Sequence, residues 1–417
     1  MRVDGEVAVP GDKSISHRAL ILSAVARGPS RVTNILQSAD IGSTAGVLRA
    51  LGVAVPSLSS DMVVRGVGLR GLKSPEAVLD CGNSGTTARL MAGVVAGAGV
   101  TARFEGDRSL SSRPMGRVAV PLRKMGAAVL LPPGGGLPMD VVGAPLHQID
   151  YVSEAASAQI KSAVLLAAVM AGISSRVREP APSRDHTERM LAARGVPVRF
   201  HGDGAEVLPV DELAPFDTRV PGDPSSAAFL AALAALADSG TLRLTGVCLN
   251  PTRAGFFRLL ERMGAKVRIE AAEEGGELVG SIDVAPGTLS GTVVKEEEVP
   301  SMIDELPLVA CLAARATGVT EIRGAAELRV KESDRIAAVV TNLRRLGVDA
   351  EELPDGLRVR GGTSPLVGRI STHGDHRLAM AFGVLGALPG SAVEIDDRDC
   401  VAVSYPSFWS DLARVVS

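Results

Sequence analysis

The sequence predicts an α/β chain of about six copies of one supersecondary unit, arranged as two three-unit domains. Three observations carry this reading. The segment PGDKSISHRALILSAVARG at 10–28 is echoed at 221–240 as PGDPSSAAFLAALAALADSG. Helix-end glycines recur at Gly52, Gly126, Gly195, Gly264 and Gly347, with a mean spacing of about 74 residues, which fits between five and six times into 417. Short strands joined by Gly-Asp-Gly or Pro-Asp-Gly turns follow those glycines, as in VRFHGDGAEVLPV at 198–210 and VDAEELPDGLRVRG at 348–361. A fixed period of this length is the signature of a repeated unit.

In chain order, each Pro-Gly-Asp turn reads as a strand end feeding a capped helix, with an Ala-rich apolar run behind it. The second copy replaces Lys13 by Pro224 and Arg18 by Phe229, so the two cations are not needed to build the turn and point to an anion. LRALGVAV, LRKMGAAV, LAARGVPV, LERMGAKV and LRRLGVDA each read as helix end, C-cap glycine and strand start. SFWSDLARVV near the C-terminus is a sixth helix lacking its following glycine and strand. Residues 1–9 are expected to supply that strand, which places 1–9 with 221–417 in one domain and 10–220 in the other.

Aromatic residues make up only 3% of the chain against 46 glycines, so the cores must be close-packed Ala, Val, Leu and Ile. A net charge of −3 argues against nucleic-acid or anionic-membrane binding as the main activity, so any cationic site must be local. Cys81, Cys248, Cys311 and Cys400 are scattered without a CxxC pair, which suits a reducing, cytosolic setting. MRVDGEVAV reads as a strand without a basic and apolar leader, so no signal peptide is expected. Ser162 to Ser175 and Leu378 to Val393 are too short for a membrane span and read as buried helices.

DCGNSGTTARL (80–90) puts Asn83, Ser84, Gly85 and Thr86 at a helix N-terminus, where exposed N–H groups attract phosphate or carboxylate; ordinary capping explains the same residues. It is not a Walker loop. GDRSLSSRPMGR (106–117) reads as a polar loop carrying Arg113. In VKESDR (330–335), Lys331 and Arg335 are spaced to share a helical face, where like charges repel without a counter-charge; Glu332 lies about 100° round that helix. A solvated charged helix is the bland alternative. PSMIDELPLVACLAA (300–314) sets Asp304 and Glu305 at the mouth of an apolar helix. SEAASAQIKSAVLLAA (153–168) opens another with Ser157, Gln159 and Lys161. THGDHRLAMA (372–381) groups His373, Asp375, His376 and Arg377, but Arg377 opposes a bound cation and no third His or Cys is near, so no metal site is expected. No GxSxG or Cys/His context supports acyl chemistry. A non-catalytic repeat scaffold remains the alternative to an enzyme, although in such a scaffold surface charges recur with the fold, and here they do not.

In order along the chain, PGDKSISHR, GNSGTT, SSRP, SAQ, IDE, VKESDR and GDHR resemble the 5-enolpyruvylshikimate-3-phosphate synthase family, from about residue 10 to about residue 410. The resemblance implies a two-domain enolpyruvyl transferase fold, each domain three βαβαββ-type units with helices inside, and an active site in the interdomain cleft. It implies transfer of the enolpyruvyl group of phosphoenolpyruvate to the 5-hydroxyl of shikimate 3-phosphate, with release of phosphate, in the shikimate pathway to chorismate and aromatic amino acids. Those two substrates carry about five to six negative charges, which would explain the unrepeated cations, and the cleft is expected to close as the first ligand neutralises them.

By the resemblance, Lys13, Ser14, Arg18, Ser157, Ala158, Gln159, Ser183, Asp304 and Lys331 bind shikimate 3-phosphate. Lys13, Asn83, Gly85, Arg113, Gln159, Arg335 and Arg377 bind phosphoenolpyruvate. Glu332 donates the proton, Asp304 is the base, and Lys13 assists. No metal or cofactor, a cytoplasmic monomer, no nucleic-acid or membrane partner, and sensitivity to glyphosate at the Gly85 wall are also implied. VAVSYP departs from the TRKTFP-like string of many members, with Val403 where they have lysine, which leaves one phosphoenolpyruvate contact in doubt. The sister enzyme acting on UDP-N-acetylglucosamine is the nearest alternative. It typically carries a cysteine near Arg113, whereas this chain has none between 82 and 247.

Overall fold

A computed structural model describes all residues, 1–417. The chain separates into two compact bodies. The first is Gly11–Val220 with Glu274–Glu277, and the second is Met1–Pro10, Pro221–Glu273 and Leu278–Ser417.

Six separate sheets hold the strands, three in each body. In the first body, Leu79–Asp80, Ala102–Glu105, Met139–Val142 and Ala128–Leu130 lie side by side in that order. The first pair is parallel and the others are antiparallel. Helix Gly85–Gly97 connects the parallel pair and helix Gly116–Lys124 precedes the hairpin, giving strand, helix, strand, helix and hairpin. The same order recurs for Asp150–Val152, Ser175–Arg178, Gly204–Val207 and Val198–His201, with helices Ala158–Ala171 and His186–Ala192. In the second body it recurs for Val293–Val294, Val319–Ile322, Gly356–Arg360 and Asp349–Leu353, with helices Leu306–Ala313 and Arg335–Arg345. All five helix-end glycines take positive φ, between 81° and 116°, the left-handed cap that a Cβ penalises.

The two chain crossings complete the remaining units by lending strands. Thr218–Arg219, just before the second crossing, lies parallel to Val32–Thr33 and supplies the first strand of the opening unit. Gly5–Ala8 lies parallel to Leu242–Thr245. The expectation that residues 1–9 complete the sixth unit is therefore corrected: they complete the fourth. Leu242–Cys248 pairs with Glu277–Ala285 on one side only, so its other edge is open to a strand. Filling that edge buries the alternating Val3, Val7 and Val9. The sixth sheet has two strands, Val367–Ile370 and Ala392–Ile395, and its terminal helix Phe408–Arg414 reaches Val3 only through an isolated bridge from Val416.

Helices enclosed by sheets must be apolar all round. Every residue of Pro224–Ala235 is buried, as is every residue from Ile160 to Met170. Small side chains replace aromatic rings as the packing device. A Cβ on Gly93 would stand 2.1 Å from Ala163 O, and one on Gly97 2.3 Å from Ala167 O. The two helices therefore touch backbone to backbone at two successive turns, which only glycine permits.

Candidate active site

In the first body, Asp12 caps the helix Lys13–Val25 by accepting from Ile15 N at 2.7 Å. That cap aims Lys13, Ser14 and Arg18 from one helix start. Lys13 pairs with the carboxylate of Asp40. The Arg18 guanidinium is buried and donates to Thr187 Oγ1 at 2.6 Å, Ser162 Oγ at 2.7 Å and Ser14 O at 2.9 Å. All three acceptors are neutral. Burial pushes the Arg18 pKa down to about 10, with Glu188 and Asp12 partly opposing through space. One residue earlier, burial holds His17 at about 3 against the pull of Asp40, so its ring is uncharged. His17 Nδ1 meets Thr44 Oγ1 at 2.7 Å, and Thr44 meets Thr87 at 2.7 Å, which ties this helix to the N-terminal end of another.

That end is the start of helix Gly85–Gly97, capped by Ser84 through Thr87 N at 3.2 Å. A Cβ on Gly85 would lie 2.8 Å from Arg89 Nη1 and 3.5 Å from Arg113 Nη1. Two guanidinium groups thus stand over a residue with no side chain. Arg113 Nη2 donates to Asn83 Oδ1 at 2.6 Å, and Asn83 Nδ2 donates to Asp107 Oδ2 at 2.6 Å. Asp107 also caps a short helix, Arg108–Ser111, so the segment expected as a loop is in part helical. Arg89 Nη1 donates to Gln159 Oε1 at 2.8 Å, and Gln159 Nε2 donates to Thr86 Oγ1 at 3.0 Å. Arg89 escaped the sequence reading. It lies four residues after Gly85 in GNSGTTAR, one helical turn on, and that spacing was the available signal.

Helix Ala158–Ala171 begins at Ser157, whose backbone N–H donates to Glu179 Oε1 at 2.9 Å. Ser183 Oγ donates to the same carboxylate at 2.7 Å, so Glu179 gathers Ser157 and Ser183. Behind them Lys161 is 2.7 Å from Glu179 and 2.9 Å from Glu188. Burial works against a charged Lys161, but the two carboxylates outweigh it and hold the ammonium above its ordinary range. Burial raises Glu188, only partly countered by Lys161. Glu179, Glu188 and Thr187 carry no motif and were missed, since only burial reveals them.

The second body gathers carboxylates. Lys331 and Arg335 do not share a helix, contrary to the spacing argument. Ala326–Val330 is a 3-10 turn, Lys331 is extended, and the helix Arg335–Arg345 starts only after Asp334, which accepts from Ala337 N at 3.1 Å. Asp334 is a strong N-cap and breaks the helix between them. The counter-charge for Arg335 is the protein itself. Arg335 Nε donates to Asp375 Oδ2 at 2.8 Å, Nη2 to Glu332 Oε2 at 2.7 Å and Nη1 to Asp304 Oδ1 at 3.4 Å. Burial alone would lower Arg335, but Asp375 and Glu332 raise it above the ordinary arginine range. Asp375 is likewise held below the usual carboxylate range by Arg335, despite burial. Lys331 is lowered by burial, with Asp304 opposing. Arg377 Nη2 is 3.6 Å from Asp304 Oδ2, and Nη1 is 3.7 Å from Glu305 Oε1. Asp375 also caps the helix His376–Gly386 that carries Arg377. Val403 ends the 3-10 turn Asp399–Val403 and brings no cation.

The first body therefore brings together Lys13, Ser14 and Arg18; Asn83, Gly85, Arg113 and Gln159; and Ser157, Ala158 and Ser183. The second brings together Asp304, Lys331, Glu332, Arg335 and Arg377. The family model of EPSP synthase (3-phosphoshikimate 1-carboxyvinyltransferase) matches residues 1–412. A 3-phosphoshikimate 1-carboxyvinyltransferase of Sulfurihydrogenibium sp. (strain YO3AOP1) is 48% identical, covering 99% of this chain and 97% of that one. One of Bacillus subtilis (strain 168) is 44% identical, covering 99% and 97%. The solved EPSP synthase from Acinetobacter baumannii superposes with a TM-score of 0.87 at 38% identity, covering 99% and 96%. The enolpyruvyl transferase NikO from Streptomyces tendae, 20% identical with a TM-score of 0.74 over 99% and 95%, shares the fold. The chain belongs to the EPSP synthase (3-phosphoshikimate 1-carboxyvinyltransferase) family.

Proposed function

We propose that this chain transfers the enolpyruvyl group of phosphoenolpyruvate to the 5-hydroxyl of shikimate 3-phosphate, as a monomer in the cytoplasm that acts on small molecules and not on nucleic acid. The observation that carries the reading is the grouping of sequence-distant cations and hydroxyls around Arg18 and Gly85, within a chain of this family. Shikimate 3-phosphate is held by Lys13, Ser14, Arg18, Ser157, Ala158, Gln159, Ser183, Asp304 and Lys331. Arg18 suits a phosphate because its hydrogen bonds go to neutral oxygens and leave its charge to be met by an anion. Phosphoenolpyruvate is held by Lys13, Asn83, Gly85, Arg113, Gln159, Arg335 and Arg377, with planar guanidinium forks matching carboxylate and phosphate oxygens.

Asp304 takes the proton of the 5-hydroxyl as its oxygen bonds to C2 of phosphoenolpyruvate, and Glu332 delivers a proton to the methylene C3. The tetrahedral adduct then loses a proton from C3 while the C2–O bond to phosphate breaks, giving the enol ether and inorganic phosphate. Lys13 and Arg335 stabilise charge on the adduct. Glu332 accepts from Arg335 at 2.7 Å, so an anion that draws Arg335 away frees Glu332 to carry the proton it must donate. A phosphate-release assay tests the reading. Turnover is expected with phosphoenolpyruvate plus shikimate 3-phosphate and not with UDP-N-acetylglucosamine; release with the sugar nucleotide, or with neither, overturns it.

A further inference from the structure

Pro224 stands where the first copy of the turn has Lys13, and no cation is expected there. One arrives from another element. Arg253 Nη2 donates to Asp223 Oδ1 at 3.2 Å and to Ser225 Oγ at 2.9 Å, with its side chain 2% exposed. Asp223 is the cap of helix Pro224–Ala235, so Arg253 is anchored to a fully buried helix. Ser225 Oγ passes the contact on by donating to Glu305 Oε1. Glu305 is 2% exposed, and its Oε2 is buried without a hydrogen-bond partner. A buried carboxylate oxygen left in this state costs about 1–3 kcal/mol or more, and the scheme above gives Glu305 no task.

Its charge is opposed by Arg377 and, behind Ser225, by Arg253. The Arg377 guanidinium is bracketed by Glu305 at 3.7 Å on Nη1 and by Asp304 at 3.6 Å on Nη2, with Asp304 O at 3.4 Å. All three contacts are longer than a good N–H···O bond, which spans about 2.7–3.2 Å. Arg377 is therefore placed by opposing charges on two sides, and its N–H groups remain available to an incoming anion. Asp304 alone would pull it to one side.

We propose that Glu305 is a positioning residue for Arg377: the chain Arg253–Ser225–Glu305 fixes where the guanidinium stands against Asp304 and thereby sets the affinity for phosphoenolpyruvate. This rests on the assignment of Arg377 to phosphoenolpyruvate made above. A purely stabilising ion cluster is the competing explanation.

Steady-state phosphate release by the full-length chain, with each substrate varied at saturating levels of the other, separates the two. Glu305→Gln keeps an acceptor for Ser225 and removes the charge. KM for phosphoenolpyruvate is expected to rise about ten-fold, below the hundred-fold that a 1 Å misplacement can cost, with KM for shikimate 3-phosphate little changed. Glu305→Asp is expected to recover part of the loss. A lowered Tm with both KM values unmoved, or an equal rise in both, overturns the proposal. If Glu305→Gln does not fold, Ser225→Ala is read the same way: a selective rise supports the positioning role and its absence overturns it. Wild-type protein releasing no phosphate sinks the activity reading, whereas wild-type turnover with an unmoved variant sinks the positioning role alone.

Discussion

Two buried arginines, one in each body, live in opposite surroundings. Arg18 is wrapped by two hydroxyls and a carbonyl, whereas Arg335 is wrapped by three carboxylates. The first is lowered by burial and the second raised by its partners. A buried cation among neutral oxygens is costly until an anion arrives, which is the ground for the binding role proposed for Arg18. A cation already neutralised gains less from a ligand. In the proposed scheme Arg335 holds Glu332 and Asp304 in place until the phosphoenolpyruvate anion draws it away.

The largest expected effect breaks the second arrangement. Asp375→Asn keeps the helix cap, because asparagine still accepts from Arg377 N, and removes the charge beside Arg335. Leaving a buried arginine short of its main partner should cost about 3 kcal/mol of unfolding free energy in denaturant melts, with kcat falling as Glu332 and Asp304 are drawn closer to Arg335. Unchanged stability would mean that Asp375 is not the dominant partner. The converse variant, Arg18→Met, should leave stability within about 1 kcal/mol, since relief of burial offsets the lost bonds and Ser162 and Thr187 still bond each other. Its kcat/KM for shikimate 3-phosphate should fall roughly a hundred-fold, about 2.7 kcal/mol. A loss of stability with intact kcat/KM would reverse the comparison.

Acid should also separate the two. Burial holds His17, beside Arg18, at about 3 in the folded chain, against an ordinary histidine value of about 6.5. The unfolded chain therefore binds the extra proton between those values, and stability is lost as pH falls through that window, by at most about 1.4 kcal/mol per pH unit. Asp375 has its pKa lowered by Arg335, so its contribution is present above the unfolded carboxylate value and is lost only as pH falls through the lower folded one. Between about pH 6 and pH 4 His17 titrates and Asp375 does not, while the raised Glu188 and Glu305 work in the opposite sense. His17→Asn should flatten that limb in urea melts at stepped pH, and an unaltered slope would show that another group titrates there.

Much of this was legible in the chain because it is local. Asp12, Ser84 and Ser157 cap their helices where the turn and GNSG or SAQ strings place them, and the five helix-end glycines take left-handed φ. What failed was non-local or depended on burial. Gly5–Ala8 and Thr218–Arg219 are too short to announce their partners, which lie more than a hundred residues away. VKESDR mimics a helical face by charge spacing, but the capping strength of Asp334 decides the local structure. Arg89, Glu179 and Arg253 resemble surface charges in sequence, and only the packed structure shows them holding Gln159, Ser183 and Ser225.

The smallest expected effect probes the wall between Arg89 and Arg113. A methyl at residue 85 would sit 2.8 Å from Arg89 Nη1, the flexible end of a side chain, so Arg89 can retreat without backbone movement. Retreat loosens its 2.8 Å bond to Gln159 and narrows the space beside Arg113. Gly85→Ala should therefore fold normally while raising KM for phosphoenolpyruvate several-fold, on the order of 1 kcal/mol. Glyphosate, a compact anion expected to share that wall, should lose at least as much affinity in the same titration. The effect on shikimate 3-phosphate should be smaller and pass only through Gln159, because Arg18 reaches its hydroxyl cage through Thr187 and Ser162 and not through Gly85. A shikimate 3-phosphate KM that rose in parallel would show that the two anion-binding groups of the first body are a single coupled unit.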